Sequence, residues 1–172
     1  MTLPATIRDA LVFQVAWFAC VSGGNAGALA AALLLLPLQA TWPGRRDARE
    51  WGLVALFSAI GVAMDLGWQA IGLLDFTGDL IGPLPFWLAM LWVFFSGTLL
   101  RSLAFLQQRL LLAALLGAVA GPFSYWVGMR LGAATSVNAP LQVALAMAPA
   151  WALLLPFLAW LSRPRAGEET AA

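Results

Sequence analysis

Long apolar stretches separated by short polar or turn-forming runs dominate this chain. A membrane-spanning helix needs about 20 mostly apolar residues, and six stretches approach that length. They cover approximately residues 4–22, 26–42, 51–74, 86–105, 110–131 and 141–160. A tight turn at residues 23–25 separates the first two stretches, and the other connections are also short. The pattern therefore predicts an all-α fold, a polytopic membrane bundle of six transmembrane helices.

The connections between the stretches leave no room for a soluble domain. Residues 1–162 are predicted to form a single six-helix transmembrane domain, and residues 163–172 a short, polar, disordered cytoplasmic tail. The first stretch is interpreted as a retained membrane helix. The segment before it carries little positive charge and no clear polar mature start follows it, unlike a cleaved signal peptide.

The arginines predict the orientation, because cytoplasmic loops of membrane proteins are enriched in Lys and Arg. With both termini inside, all basic residues except Arg130 lie on the cytoplasmic side, and the outer loop after the third stretch is acidic. This asymmetry predicts an N-in/C-in protein. The densest cluster is expected to set the topology and to contact anionic lipid headgroups. That cluster consists of Arg45, Arg46 and Arg49.

The composition supports the same class of protein and narrows the possible functions. The chain is 62% hydrophobic and 10% charged, whereas about 25% of residues are charged in a typical soluble domain. A net charge of +1 gives no electrostatic reason to expect nucleic-acid binding. The chain has no His and a single Cys, so neither an internal disulfide nor a multi-cysteine metal site is expected. The predicted partner is the lipid bilayer, with no metal or cofactor.

Asp65 is an acid in the middle of the third apolar stretch. Counted from Trp51 at about 1.5 Å per residue, it lies roughly 21 Å from the cytoplasmic face, in the outer half of a core about 30 Å thick. The same count places Tyr125 of the fifth stretch at nearly the same depth. A charge at this depth costs a few kcal/mol, and such residues usually face the bundle interior and mark a pathway or a ligand.

Three interpretations of Asp65 stay open. In the first, it is a structural acid, hydrogen-bonded to Tyr125, Ser124 or a tryptophan N–H, that holds helices together. In the second, it binds a substrate or takes part in proton transfer. In the third, it is exposed to water through a crevice or a local thinning of the bilayer. The candidate ligand-binding residues, chosen by depth, are Asp65, Gln69, Trp92, Ser124 and Tyr125.

The fifth stretch carries a line of small residues and one proline. Two GxxxG patterns follow each other, and small residues let helix backbones approach closely in lipid. Pro122 removes a backbone donor and is expected to kink the helix below Tyr125. The predicted helix-packing residues are Gly117, Gly121, Pro122, Gly128 and Gly132.

Several motifs together resemble those of a known family. They are FQVAWF near the start, the mid-membrane Asp65, PFWLAMLWVFFSGTLLRSLAFL and GPFSYWVGMRLGA, in this order. The set resembles the bacterial inner-membrane family called domain of unknown function 2878, over most of the chain to about residue 160. Phe105 departs from the tryptophan expected there. The resemblance implies a multi-pass bacterial inner-membrane protein often encoded near lipid-modifying enzymes, and it implies no established activity.

Three functions are compatible with these features. The favoured one is a binding or transport module for a small or lipidic ligand, using the polar layer around Asp65. The alternative is a non-enzymatic accessory or scaffold subunit for membrane-lipid modification or envelope stress response, with a membrane or peripheral lipid-modifying protein as its partner. An intramembrane enzyme with Asp65 and Tyr125 as an acid–base pair is least favoured, because no nucleophile or metal site accompanies them.

Overall fold

The computed structural model describes residues 3–41, 46–78, 80–81 and 84–164, and this part of the chain is predominantly α-helical. The helices are α1 Leu3–Leu34, α2 Leu36–Thr41, α3 Ala48–Ala70, α4 Phe86–Leu99, α5 Leu110–Arg130 and α6 Pro140–Leu161. A short 3₁₀ helix covers Ala104–Gln108. Two antiparallel strand pairs join the connecting segments: β1 Asp75–Phe76 with β4 Ala134–Thr135, and β2 Leu80–Ile81 with β3 Leu84–Pro85.

Helix α1 bends back on itself at Gly24, which has φ 55° and ψ −144°. A Cβ added at Gly27 would lie 2.0 Å from the carbonyl oxygen of Ala19, so the two legs of α1 touch beyond the bend. Residues eight apart in a straight helix are about 12 Å apart along its axis and cannot make this contact. The bend coincides with the turn predicted at residues 23–25, and it converts the segment into a helical hairpin.

Four segments of the described chain are long and apolar enough to cross a membrane. They are Ala5–Thr41, Ala48–Ala70, Leu110–Arg130 and Pro140–Leu161. The first contains both legs of the hairpin. Helix α4 is also apolar, but it has only 14 residues. The protein is therefore an all-helical, membrane-compatible bundle, as the apolar pattern predicts.

Helix α4 ends earlier than the sequence predicts, at Leu99 instead of residue 105. The backbone at its end finds partners outside a regular α-helix. The Gly97 carbonyl accepts a hydrogen bond from Arg46 Nη2 at 2.9 Å, and the Ser102 N–H faces Asp9 Oδ2 at 3.4 Å. Because these side chains satisfy backbone groups, the chain can leave the helix without exposing unpaired amides to lipid.

Helices α5 and α6 pack closely along part of the predicted small-residue line. A Cβ at Gly117 would lie 2.3 Å from the Trp151 carbonyl oxygen, and one at Gly121 would lie 2.3 Å from Trp151 Cγ. Pro122 is buried, and α5 continues through it. The other two predicted packing glycines are placed differently. No atom lies within 4 Å of a Cβ built at Gly128 or Gly132.

Gly132 lies beyond the end of α5, so the expectation of helix packing does not hold for it. Its φ of 82° belongs to the left-handed region that glycine enters at little cost. The turn it makes leads into β4, which pairs with β1. In this position glycine makes the turn that leads to the pairing of the α3–α4 and α5–α6 connecting segments.

Candidate functional site

Asp65 is completely buried where α3, α4 and α5 meet. Trp92 Nε1 donates a hydrogen bond to Asp65 Oδ2 at 2.6 Å, and the Tyr125 hydroxyl donates to Oδ1 at 2.5 Å. Each carboxyl oxygen therefore has its own neutral donor. The structural interpretation of Asp65 named Tyr125, Ser124 or a tryptophan N–H as possible partners. Tyr125 and a tryptophan are its partners here, and Ser124 instead accepts a hydrogen bond from Trp17. Three of the five residues chosen by depth, Asp65, Trp92 and Tyr125, are therefore in direct contact.

Gly61 provides the space in which Trp92 reaches Asp65. It lies one turn before Asp65 on α3 and is buried. A Cβ at Gly61 would lie 2.0 Å from Trp92 Cδ2, inside the indole ring's own volume. Any side chain here would therefore displace the ring that donates to the acid. The sequence interpretation missed Gly61. Its position four residues before the acid, on the same helix face, indicates space for a neighbouring side chain beside Asp65.

A cavity of about 80 Å³ lies beside the acid, and we call it the Asp65 cavity. Half of the residues in its walls are aromatic, and the walls come from several helices and from the α3–α4 and α5–α6 connecting segments. The aromatic lining residues include Phe13, Trp17, Phe76, Trp87, Trp92, Tyr125 and Trp151. The volume can hold a few water molecules or one small chemical group.

A larger groove of about 560 Å³ lies between α1 and α5, and we call it the lateral groove. Its mouth carries large apolar side chains that are exposed in the isolated chain, including Phe18 at 51% and Phe123 at 59%. The exposed amide residue Gln14 also lines it. If the bundle lies in a membrane, such side chains would face the lipid tails and the groove would open sideways into the bilayer.

The lateral groove and the Asp65 cavity share part of their lining. Trp17 Nε1 on α1 donates a hydrogen bond to Ser124 Oγ on α5 at 3.1 Å, and both residues line both spaces. Phe13, Phe95 and Trp151 are likewise shared. The two spaces are therefore neighbours, and the Trp17–Ser124 contact lies on their common boundary.

Gln69 is the one predicted ligand residue that does not line the Asp65 cavity. It borders a separate pocket with Asp75 and Ser136, between α3 and the α3–α4 and α5–α6 connecting segments. Its Oε1 is buried and has no hydrogen-bond partner within the described ranges. The depth count placed it near Asp65, but depth alone does not determine the direction in which a side chain points. Asp65, Trp92, Ser124 and Tyr125 do line the cavity.

A second buried polar cluster lies at the other end of the bundle, around Arg46. Its side chain is 1% exposed. Its Nη2 donates to the Gly97 carbonyl, and its Nη1 lies 4.0 Å from Glu50 Oε1. Arg101 pairs with the same carboxylate at 3.0 Å. Burial and the nearby Arg101 lower the pKa of Arg46, while Glu50 opposes this shift.

Gln39 and Asp9 complete this cluster. Gln39 is buried and donates to the Phe94 carbonyl at 2.9 Å and to Thr98 Oγ1 at 3.0 Å. Asp9 is also buried and faces the backbone that follows α4. We call the set the arginine-end network; its members are Asp9, Gln39, Arg46, Glu50 and Arg101. The sequence interpretation missed Asp9 and Gln39 as members.

The arginines expected to contact headgroups are in different environments. Arg46 is turned into the protein, so headgroup contact does not fit its position. Arg49 is half-buried and donates to the Arg163 carbonyl at 2.7 Å. Arg45 lies outside the described residues, as do the tail residues 165–172.

Comparison with known proteins places these features in a family. The family model described as protein of unknown function (DUF2878) matches residues 6–157, which is most of the chain. The chain belongs to the DUF2878 family. No curated protein and no solved structure matches it. In this DUF2878 protein, the matched range contains Asp65, its two donors and all three elements that carry them.

Proposed function

We propose that this DUF2878 protein binds a small or lipidic ligand in the Asp65 cavity, as a binding or transport module of the membrane. The observation that carries the proposal is a fully buried acid, held by two donors, directly beside an aromatic-lined cavity. Acids within membrane spans are costly and usually mark a pathway or a ligand site.

The cavity favours ligand binding over a purely structural role for the acid. The bonds from Trp92 and Tyr125 would be enough to hold three helices together. Such a lock needs no space beside it, and protein interiors are close-packed with few voids larger than a water molecule. Large aromatic side chains surround this space without filling it. Pockets of this kind, apolar with a few fixed polar groups, are typical of ligand sites.

The lateral groove supports a ligand that arrives from the bilayer. Its mouth is apolar, and it shares a boundary with the Asp65 cavity at Trp17 and Ser124. A hydrocarbon chain in the groove would place its polar end beside the cavity. This arrangement favours a lipidic or amphipathic ligand over a strongly hydrated one.

We also propose six membrane crossings, with both termini in the cytoplasm and the protein in a bacterial inner membrane. The bend at Gly24 supports two crossings within the first long segment. Helix α4 is about 21 Å long, which is shorter than the apolar core of a bilayer. The chain on either side of α4 would complete its crossing, and non-helical backbone is tolerated there when protein buries it.

The scaffold function is the second proposal and has less support. A docking surface for a peripheral lipid-modifying protein was expected at the arginine cluster. The Arg46 side chain is buried and bonded within the protein, which removes it from any such surface. A partner protein would have to use other residues of this end.

The proposed function is tested by replacing Asp65 with Asn. Small molecules or lipids that co-purify with the wild-type protein should be retained by the purified variant at about one tenth of the amount or less. The reason is that loss of the acid's charge removes about 1.4 kcal/mol or more of binding free energy. Mass spectrometry of extracts from washed protein in nanodiscs measures this retention. The matched control is Asp75→Asn, which neutralises an exposed acid outside the cavity. Equal retention by wild type and Asp65→Asn would overturn the proposal.

A further inference from the structure

Within the described part of the chain, Asp65 is a buried acid whose hydrogen-bond donors, Trp92 and Tyr125, are both neutral. The ion pairs of Arg46 and Arg101 are made with Glu50, at the opposite end of the bundle. Arg130 lies in the last turn of α5, about 7.5 Å of helix rise beyond Tyr125, and it is exposed. An uncompensated buried charge is strongly unfavourable, so a positive charge would stabilise this site.

The walls of the Asp65 cavity suit one kind of cation. Aromatic side chains make up half of the residues that line it, among them Trp17, Trp87 and Tyr125. Aromatic faces attract cations, most strongly when water is excluded, and they are the usual lining of sites for quaternary ammonium groups. A hard metal ion needs several oxygen ligands, and this lining is mostly hydrocarbon.

The burial of Asp65 narrows the cation further. The carboxylate is 0% exposed and receives one hydrogen bond on each oxygen, from Trp92 and Tyr125. Although each oxygen keeps a second lone pair, a primary ammonium in the cavity could reach it for a hydrogen bond only if one of these two side chains moved. An alkylated ammonium has no such requirement, because it interacts with ring faces and with the charge of the acid through a medium of low dielectric constant.

We propose that the Asp65 cavity binds an alkylated ammonium group whose hydrocarbon chain lies in the lateral groove. This inference rests on the proposed function and specifies its ligand class. The shared boundary at Trp17 and Ser124 is what connects the two parts of the ligand. The acid supplies the charge, the rings supply the contact surface, and the groove accommodates the chain.

The test compares two probes that differ only in charge. One is dodecyltrimethylammonium, and the other is the same chain ending in a tert-butyl group, with carbon in place of nitrogen. Because the neutral hydrocarbon is almost insoluble in water, both probes are incorporated into zwitterionic nanodiscs that contain the protein and are compared at equal mole fraction in the bilayer. The change in tryptophan fluorescence is followed after subtraction of empty nanodiscs. We expect the ammonium probe to bind about tenfold more tightly or better, as a desolvated cation–π site implies.

Two variants locate the origin of this preference. Asp65→Asn should reduce the ratio of the two affinities to about 1, whereas the control Asp75→Asn should leave it unchanged. Trp151→Leu should lower the ammonium affinity several-fold and the isostere affinity less, which provides a second readout if Asp65→Asn folds poorly.

The outcomes separate this inference from the proposed function. Equal binding of both probes by the wild-type protein would overturn the ammonium assignment, while Asp65-dependent retention of a neutral ligand would still support the proposed function. A preference for ammonium that survives in Asp65→Asn would also overturn the assignment, because the acid would then not be its source. If Asp65→Asn loses both the preference for the ammonium probe and the co-purified ligand, while Asp75→Asn loses neither, the result supports both proposals.

Discussion

The Asp65 cavity and the arginine-end network are both buried polar clusters in an apolar bundle, but their charges are arranged differently. In the network, Arg46 and Arg101 share the carboxylate of Glu50, and further donors bond to backbone carbonyls. In the cavity, a single acid is held by neutral donors. One cluster contains its own counter-charges, and the other does not.

The difference indicates which cluster holds the fold and which receives a ligand. A network that contains charges of both signs ties helix ends together, although Arg46 Nη1 and Asp9 Oδ1 have no hydrogen-bond partner among the described residues. An unpaired acid beside a cavity keeps an interaction available for another molecule. Changes in the network should therefore act mainly on stability, and changes in the cavity mainly on binding.

The largest loss of stability is expected from Arg46→Met. The change removes the bond to the Gly97 carbonyl and one of the two cations near Glu50. The main cost is the buried Gly97 carbonyl left without its charged donor, about 3 kcal/mol. The contact with Glu50 adds less, because that carboxylate is partly exposed and keeps Arg101. The free energy of unfolding in bicelles, measured by steric trapping, checks this value.

Arg130→Met is the control for this loss. Arg130 is exposed at the end of α5, so its replacement should change stability by about 0.5 kcal/mol or less. If both substitutions lowered stability equally, the arginine-end network would not specifically stabilise the fold. The proposed division between a stabilising network and a ligand-binding cavity would then be wrong.

Gly61→Ala should have the next largest effect, and it acts on the other cluster. The added methyl group would overlap the Trp92 ring and move it away from Asp65. Overpacking of this kind costs about 1–3 kcal/mol. Ligand retention should fall together with stability, because the Trp92 bond to the acid is lost. Unfolding and retention are measured on the same nanodisc sample.

Gly67→Ala on the same helix is the control for Gly61→Ala. Gly67 is exposed, and no atom lies within 4 Å of a Cβ built there. Because Ala favours helix more than Gly, this control should be neutral or stabilising by up to about 1 kcal/mol. Equal behaviour of the two variants would show that Gly61 does not position Trp92.

The fold was largely predictable because its main signal is local. Apolar stretches and turn-forming residues placed the bend near Gly24 and the positions of the long helices. The end of α4 was not predictable from hydropathy. It depends on Arg46 and Asp9, which reach its backbone from distant parts of the chain.

The candidate site was predictable in depth but not in direction. Counting residues along the helices placed Asp65 and Tyr125 in one layer, and they are hydrogen-bonded. The same count included Gln69, whose side chain borders another pocket. The contributions of Trp17 and Trp151 depend on which helix faces meet, and one sequence does not contain that information.

The smallest effect on stability is expected from Trp17→Phe, which opens the boundary between the lateral groove and the Asp65 cavity. The change keeps an aromatic ring but removes the donor to Ser124. Hydrogen bonds between membrane helices average about 0.6 kcal/mol, so the fold should be nearly unaffected. Association and dissociation of dodecyltrimethylammonium should both accelerate, with little change in Kd, because the boundary affects the path more than the bound state.

Stopped-flow fluorescence measures both rates, and Trp126→Phe, at an exposed tryptophan of α5 that lines neither space, is the control. Rates that match those of the control would mean that the ligand reaches the cavity by another path, and the groove would then lose its role in access.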